Sequence, residues 1–313
     1  MNRIVVTGGA GFIGSNLVRH LLENGDKVIV IDNLITSDGS NLKQFANNPS
    51  FKFLKHDITL PFPKTVNGQL SNVNCIYHLA CPTGVPNLVR FAQEMLASCS
   101  IGTLNVLELS KKNHAKLVFT SSSEVYGDPK VFPQTENYTG NVDSTGIRSP
   151  YEEGKRFSES LIASYVRKNN LDAKIVRLFN VYGPGTSPSE TRVISAFLRN
   201  AKKDKSLPVA GDGLQTRTFC YVDDLISALL IINERGKSGE VYNAGGDQEI
   251  SILELAKLAL FVTGSKSKIK LVERPNHDHQ GRRPDLSKLK SLGWTQTVGI
   301  YEGLRLTINH LTK

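Results

Sequence analysis

The sequence predicts an α/β protein in which a doubly wound parallel sheet is followed by a smaller, mixed α/β C-terminal unit. Three observations predict this fold class. Up to about residue 180, short apolar runs alternate with amphipathic stretches, as in chains of strand–helix–strand units. A glycine-rich turn directly follows the first apolar run. Beyond the Gly-, Pro- and Ser-rich segment YGPGTSPSE, the elements become shorter and more mixed.

The elements follow from hydrophobic patterning. Apolar or alternating runs rich in Val, Ile, Leu and Phe predict strands at 3–7, 27–32, 51–57, 74–80, 116–122 and 174–180. Apolar residues spaced three and four apart predict helices at 12–24, about 85–113 and about 151–169. In the second half we expect helices at 191–203, 223–234, 251–262 and from about 299, with a strand at 206–210.

Composition and charge argue against several classes of function. The chain has 313 residues and no apolar run of about 18 residues, so we expect no membrane span. The net charge is +9, but the basic residues are scattered without interleaved aromatics; this favours an anionic small molecule over nucleic acid. A strand-like run opens at residue 3 and leaves no room for a signal peptide. Four cysteines without CxxC spacing favour a reducing, cytoplasmic setting.

The glycine-rich turn predicts a dinucleotide site. The segment VTGGAGFIGSNL places Gly8, Gly11 and Gly14 between the first strand and the first helix. Glycines there allow a tight turn and let backbone N–H groups approach a pyrophosphate. Asp32 ends the second strand about 20 residues on, where a carboxylate binds the adenosine ribose and repels a 2′-phosphate. We therefore predict a Rossmann-type sheet that binds NAD in preference to NADP.

Residues at neighbouring strand ends extend this cofactor site. Asp57 closes the third strand and is a candidate contact to the adenine, with a turn-forming role as the alternative. The other candidate cofactor contacts flank the turn or follow the second, third and fourth strands: Phe12, Ile13, Asn33, Ile58, Leu79 and Ala80.

Tyr151 and Lys155 are the candidate redox base and its partner. They lie four residues apart at a predicted helix start, which puts both on one face. An ammonium group beside a phenol lowers the phenol's pKa, which a phenol needs to act as a base. Ser122, in SSSEVYGDP, ends the fifth strand, at the edge where open α/β sheets bind ligands. These side chains predict hydride transfer at a sugar alcohol; the alternative is an exposed helix pair.

Several segments carry a resemblance to a known family: TGGAGFIG, HLA (78–80), SSSEVYGDP, YEEGK, RLFNVYGPG, QTRTFCYVDD and YNAGG. Over nearly its whole length the chain resembles the extended short-chain dehydrogenases/reductases that modify nucleotide sugars. Within that branch it is similar to the UDP-glucuronate decarboxylases, also called UDP-xylose synthases, in HLACP, SEVYGDP and GRRPDLSKLKSLGW. The resemblance implies an NAD-binding Rossmann domain at 1–180 and a nucleotide-sugar-binding domain at 181–313. Elements near 215–235 are expected to return to the first domain.

The resemblance also implies a reaction. UDP-glucuronate would be decarboxylated to UDP-xylose through a 4-keto intermediate, with NAD recycled. Ser122 would hydrogen-bond the sugar C4 hydroxyl and Tyr151 would remove its proton, while Glu124 and Arg282 would assist decarboxylation and reprotonation. Further residues are implied to hold the UDP-sugar substrate: Ser123, Asn180, Arg192, Arg217 and Arg282.

Other functions stay open from the sequence. Epimerases of the family carry a small residue in place of Glu124, and 4,6-dehydratases carry Asp in place of Ser123. These differences disfavour C4 epimerisation of a UDP-glucuronate or UDP-hexose and 4,6-dehydration of a nucleotide sugar. A non-catalytic, NAD-binding regulatory protein is a further alternative. The chain also departs from the decarboxylase pattern around the sugar and base pockets, at Leu88, Cys99, Gly185 and Ala210.

The resemblance implies a homodimer. In the family, two long helices of each subunit form a four-helix interface, and they correspond here to about 85–113 and about 151–169. Met95, Ile101 and Ala163 lie outside the apolar stripes of these helices and are expected on a second contact face. No metal site is predicted, because His277 and His279 have no third ligand cluster beside them.

Overall fold

A seven-stranded parallel sheet forms the centre of the computed structural model, which describes residues 1–62, 68–187, 190–273 and 281–311. Its strands are β1 (Arg3–Thr7), β2 (Lys27–Asp32), β3 (Phe51–Lys55), β4 (Cys75–His78), β5 (Lys116–Ser122), β6 (Ala173–Leu178) and β11 (Val241–Ala244). Their spatial order is β11-β6-β5-β4-β1-β2-β3. This is the 3-2-1-4-5-6 order of dinucleotide-binding sheets with one strand added. The predicted doubly wound parallel sheet is confirmed.

Helices cover both faces of this sheet. They are α1 (Phe12–Glu23), α4 (Thr103–Asn113), α5 (Ser149–Asn169) and α7 (Val222–Arg235). The first and last pack on one face, and the middle two pack on the other. Along β1, Ile4 and Val6 belong to one hydrophobic cluster and Val5 belongs to the other. The alternation of a strand thus gives the sheet two buried faces.

The second half adds short strand pairs and further helices. Short strands are β7 (Val181–Tyr182), β8 (Leu207–Ala210), β9 (Thr216–Thr218), β10 (Cys220–Tyr221), β12 (Glu249–Ser251) and β13 (Ile269–Val272). Its helices are α6 (Val193–Lys202), α8 (Ile252–Thr263), α9 (Ser287–Lys290) and α10 (Ile300–Leu311). The chain therefore returns to the sheet through α7 and β11, and one hydrophobic cluster runs from the sheet into α6 and α8. The domain boundary at residue 180 stays a prediction.

The single helix expected at about 85–113 is wrong. The segment forms α2 (Asn87–Arg90), α3 (Ala92–Ala97), a π-helical turn at Ser98–Gly102, and α4. Phe91 interrupts it because its backbone leaves the helical region, with φ −126° and ψ 33°. Within the turn, the Cys99 carbonyl accepts a hydrogen bond from the Ser158 hydroxyl at 2.6 Å. Such π turns are frequent at functional sites.

None of the described helices combines the length and the apolar character that a membrane span requires. His277 and His279 lie outside the described residues.

Candidate active site

The carboxyl ends of the central strands open onto one cleft of about 380 Å³. The strand order reverses between β1 and β4, the position at which open α/β sheets bind ligands. The cleft brings together the glycine turn after β1, Asp32 at the end of β2, Ser122 at the end of β5, and Tyr151 and Lys155 on α5. Six further residues predicted to contact the cofactor line it: Phe12, Ile13, Asn33, Ile58, Leu79 and Ala80.

The glycine turn gives the start of α1 the form of a pyrophosphate site. A Cβ atom on Gly8 would lie 2.7 Å from the Ala80 nitrogen, and one on Gly14 would lie 2.3 Å from the Gly8 carbonyl oxygen. Only glycine permits this close packing. No side chain of the described residues caps α1 at Gly11. Its first-turn N–H groups and its dipole therefore suit an anion, and the residues present fit a dinucleotide.

Asp32 is placed to bind a ribose. Its carboxylate accepts hydrogen bonds from the Leu34 nitrogen at 2.9 Å and the Ala10 nitrogen at 3.0 Å. Burial raises the pKa of Asp32, and these two N–H groups oppose the increase. Each oxygen keeps lone-pair capacity for a ribose hydroxyl. Asp57 accepts a hydrogen bond at 2.9 Å from the side-chain amide of Asn33, a residue that lines the cleft.

Tyr151 and Lys155 lie one turn apart on α5, as expected. The Lys155 ammonium donates to the Thr120 carbonyl at 2.8 Å and lies 6.0 Å from the centre of the Tyr151 ring. Burial raises the pKa of Tyr151, whereas the Lys155 charge and a hydrogen bond with Ser122 lower it. The expected effect of the lysine is present, but burial outweighs it.

The serines at the end of β5 have separate partners. Ser121 points to the α5 side of the sheet and donates to the Glu159 carboxylate at 2.5 Å, which fixes the helix that carries Tyr151. The Ser122 hydroxyl accepts a hydrogen bond from the Glu124 nitrogen at 3.2 Å, and its interaction with the Tyr151 phenol lowers the pKa of that phenol. The hydroxyl beside the phenol is therefore held in place by the turn that follows it.

The Glu124 carboxylate forms ion pairs with two arginines. Arg282 donates to its carboxylate at 3.0 Å and to the Ser123 hydroxyl at 3.4 Å. Arg148 forms an ion pair with the same carboxylate and donates to Glu152 at 3.2 Å. Burial raises the pKa of Glu124, but the two guanidinium groups outweigh burial and bring the pKa down to about 2. Glu124 is therefore ionised at neutral pH.

Sequence reasoning missed Arg148, which lines the cleft. A signal existed, because Arg148 lies four residues before Glu152, the spacing of an ion pair on one helix face. The helix-face prediction covered only Tyr151 and Lys155 and did not include Arg148.

His78, within the HLA motif, was also missed as a structural residue. It is buried, and its ring nitrogens lie 2.7 Å from the Thr7 hydroxyl and 3.2 Å from the Thr103 hydroxyl. Burial and the Lys155 charge lower its pKa to about 3, so the ring is neutral. The Thr103 hydroxyl lies 3.2 Å from that of Ser158. This buried polar chain joins β1 and β4 to α4 and α5.

A second cavity of about 290 Å³ adjoins the cleft, and Asn180 and Arg192 line both. Arg217 lines the second cavity, as does Ala210. Arg192 pairs with Glu190 at 2.6 Å, and the Asn180 amide donates to a backbone carbonyl at 3.2 Å. Two cavities with an arginine at their junction suit an elongated ligand that carries phosphate in its middle.

Comparisons with known proteins agree with this geometry. The model of the NAD dependent epimerase/dehydratase family matches residues 4–245. The chain is 42% identical over 307 residues to UDP-glucuronic acid decarboxylase 6 of Arabidopsis thaliana, a match that covers 97% of this chain and 87% of that protein.

Solved structures of the same shape include two sugar-nucleotide enzymes. UDP-glucose 4-epimerase of Thermotoga maritima, solved with UDP-glucose, has a TM-score of 0.89 and 32% identity, covering 99% of this chain and 98% of that one. dTDP-glucose 4,6-dehydratase of Streptomyces venezuelae, solved with NAD bound, has a TM-score of 0.88 and 29% identity, covering 99% and 97%.

Proposed function

The chain belongs to the NAD dependent epimerase/dehydratase family, and we propose that it decarboxylates UDP-glucuronate to UDP-xylose through a 4-keto intermediate. The prediction of NAD as cofactor is confirmed by this membership and by the NAD-bound dehydratase. The choice of reaction rests on one observation. Arg148 and Arg282 both form ion pairs with Glu124, which lines the same cleft as Tyr151. Arg148 lines the cleft, and its guanidinium group suits a substrate that carries a carboxylate, while Glu124 holds it beside Arg282.

The first step is oxidation at the sugar C4. Ser122 orients the C4 hydroxyl and Tyr151 removes its proton. Burial disfavours the phenolate form of Tyr151, and the positive charge of Lys155 stabilises it. The glycine turn and Asp32 would hold NAD, and the chemistry it would supply there is reversible hydride transfer at C4. Tyr151 then gives its proton back to the C4 oxygen, so no net redox change occurs.

The second step is loss of CO2. A 4-keto uronate is a β-keto acid, and its electrons flow into the C4 carbonyl as the carboxylate leaves. Arg148 and Arg282 would stabilise the negative charge that develops, as preorganised cations do best in a site shielded from water. Glu124, with its pKa near 2, holds no proton at neutral pH. Its role would therefore be to position the two guanidinium groups and not to supply the proton that replaces CO2.

A panel of nucleotide sugars tests the proposed reaction against its alternatives. Purified protein is incubated with each sugar and the products are weighed by mass spectrometry. We expect UDP-glucuronate to lose the mass of CO2. Loss of the mass of water would identify a dehydratase, an unchanged mass with altered retention an epimerase, and no product from any sugar a non-catalytic protein.

We predict a strong preference for NAD over NADP. Two like charges about 4 Å apart repel by about 4 kcal/mol at an effective dielectric of 20, so Asp32 should favour NAD by roughly 10²–10³-fold. Titration of cofactor-free protein with each dinucleotide measures the ratio. Asp32→Asn should narrow it by removing the charge, whereas equal affinities in the unmodified protein would contradict the assignment of Asp32.

We propose a homodimer whose interface is formed by the two predicted helical regions, about 85–113 and about 151–169. Six apolar side chains there are 40–70% exposed: Val85, Val89, Leu96, Ile101, Leu104 and Phe157. The expectation that Met95 belongs to this face is wrong, because Met95 is fully buried under it. A two-fold pair of identical faces is the commonest way to cover such a surface.

Light scattering at micromolar concentration tests the dimer. We expect a mass about twice the single-chain 34.4 kDa, and a mass near the monomer for Val89→Asp, which puts a charge on the most exposed of these six side chains. Leu214→Asp, at an exposed apolar residue far from these helices in the sequence, is the control and should stay dimeric. A monomeric unmodified protein would exclude the proposed interface.

We propose a cytoplasmic location. All four cysteines are free thiols, which is the usual state in a reducing compartment.

A further inference from the structure

We propose that Cys81 and Cys99 are a modification site: hydroperoxides oxidise this thiol pair to a disulfide, and the disulfide stops turnover. The two sulfur atoms lie 3.7 Å apart. Cys81 lines the cleft directly after β4, and Cys99 lies in the π turn, where it is 2% exposed. One sulfur is thus reachable from the cleft and the other is buried against it.

The pair has the charge environment of reactive thiols. A hydrogen bond from Cys81 lowers the pKa of Cys99 against the effect of burial, and Lys155 and Ser158 lower it further, to about 6. The pKa of Cys81 is raised by the same hydrogen bond and by burial. Loss of one proton from the pair is therefore favoured, and the resulting negative charge belongs to both sulfurs. A thiolate is the nucleophilic form of cysteine.

The other two cysteines provide the contrast. Cys75 and Cys220 are buried in strands, and burial raises the pKa of both, that of Cys75 to about 12. Buried, protonated thiols are chemically inert. The predicted reactivity is therefore specific to the pair beside Lys155.

Oxidation proceeds in two balanced steps. A proton shift across the 3.7 Å contact leaves Cys81 as the thiolate, which attacks the terminal peroxide oxygen; an S–O bond forms, the O–O bond breaks, and the departing alkoxide or hydroxide takes a proton from solvent to leave as an alcohol or water. The Cys99 thiol then attacks this sulfenic acid, and water departs with the thiol's proton as the S–S bond forms. Both sulfurs are oxidised and the peroxide is reduced.

The disulfide would disturb the reacting groups. The sulfur atoms must approach from 3.7 Å to about 2.05 Å, which pulls the cleft wall at Cys81 toward the π turn. Both sulfurs lie close enough to Lys155 to alter its pKa, and Cys81 also alters that of Tyr151. A shift of about 1 Å at reacting groups costs roughly 10²-fold in rate. Disulfides in a reducing compartment are commonly transient and redox-sensing.

The test treats the full-length protein with hydrogen peroxide and reads mass and rate separately. We expect the intact mass to fall by two hydrogens, digestion to yield one peptide pair joined through Cys81 and Cys99, and turnover to fall roughly 10²-fold. A dithiol reductant should restore both mass and rate. Cys99→Ser should neither cross-link nor lose activity in this way, and Cys75→Ser, the matched control, should respond as the unmodified protein does.

Several outcomes would overturn the proposal. They are the absence of the 81–99 cross-link, a cross-link that involves Cys75 or Cys220, and full turnover in the cross-linked protein. If Cys99→Ser does not fold, Cys81→Ser answers the cross-linking question. The measurement of turnover rests on the proposed decarboxylation, but the measurement of mass does not. A protein inactive on UDP-glucuronate that still forms the 81–99 disulfide would therefore refute the proposed function and keep the modification site.

Discussion

Tyr151→Phe should bind NAD normally and turn over UDP-glucuronate roughly 10²–10⁴-fold more slowly, the usual contribution of a general acid–base group. The substitution removes only the phenol hydroxyl, which interacts with Ser122, and leaves the ring beside Lys155. Without that hydroxyl no described group replaces the phenolate at this position of the cleft, so proton removal from the C4 hydroxyl is slowed. Steady-state rates and a cofactor titration measure the two effects separately.

Tyr165→Phe is the matched control. Tyr165 lies on the same helix, but its hydroxyl donates to Glu108 at an exposed position away from the cleft. This variant should keep near-normal turnover. A Tyr151→Phe enzyme that keeps a near-normal rate would remove Tyr151 from the mechanism.

Glu124→Gln should slow turnover roughly 10²-fold, the scale of a small misplacement of reacting groups. The variant keeps the side-chain volume but removes the charge that holds Arg148 and Arg282 together. Because Ser122 and Tyr151 are untouched, oxidation at C4 should proceed while loss of CO2 lags. The 4-keto sugar and reduced cofactor should therefore accumulate on the enzyme, which absorbance and quenched-flow mass spectrometry detect.

Glu153→Gln provides the comparison for the carboxylate. Glu153 forms an exposed ion pair with Arg156 at 3.5 Å on the same helix, and exposed pairs contribute little. This variant should behave as the unmodified enzyme does. Unchanged kinetics of Glu124→Gln, in protein with an unaltered melting temperature, would return Glu124 to a purely structural role.

The sheet was predictable because its strands are long enough to show a pattern. β1, β2 and β5 have five to seven residues, and each contains three or four consecutive apolar ones; the glycine turn indicates which end of the sheet binds the cofactor. The added strand β11 was missed because two of the four residues in VYNA, Asn and Ala, are depleted in strands. Pairs such as β7 and β10 have two residues each and are defined only by their partners.

The residues of the site were predictable where local spacing carries them. Tyr151 and Lys155 share a helix face and the three glycines share a turn, so each set is visible within one segment. The contact between Glu124 and Arg282 is different, because the two residues lie more than 150 positions apart in the chain. Sequence spacing cannot predict a contact over that separation. The Cys81–Cys99 contact depends on a π turn that no periodicity predicts. Contacts made by tertiary folding alone were thus available only from the resemblance or from the structure.

The most direct test of decarboxylation with cofactor recycling is the isotopic content of the product. UDP-glucuronate that carries deuterium at C4 is incubated in ordinary water, and unlabelled UDP-glucuronate is incubated in deuterium oxide, with no NAD beyond that bound to the enzyme. We predict a UDP-pentose that has lost CO2 in both reactions. It should keep the C4 deuterium in the first and gain one solvent deuterium at C5 in the second. A product that retains its carboxylate, or one that loses the C4 label to solvent, would contradict the account.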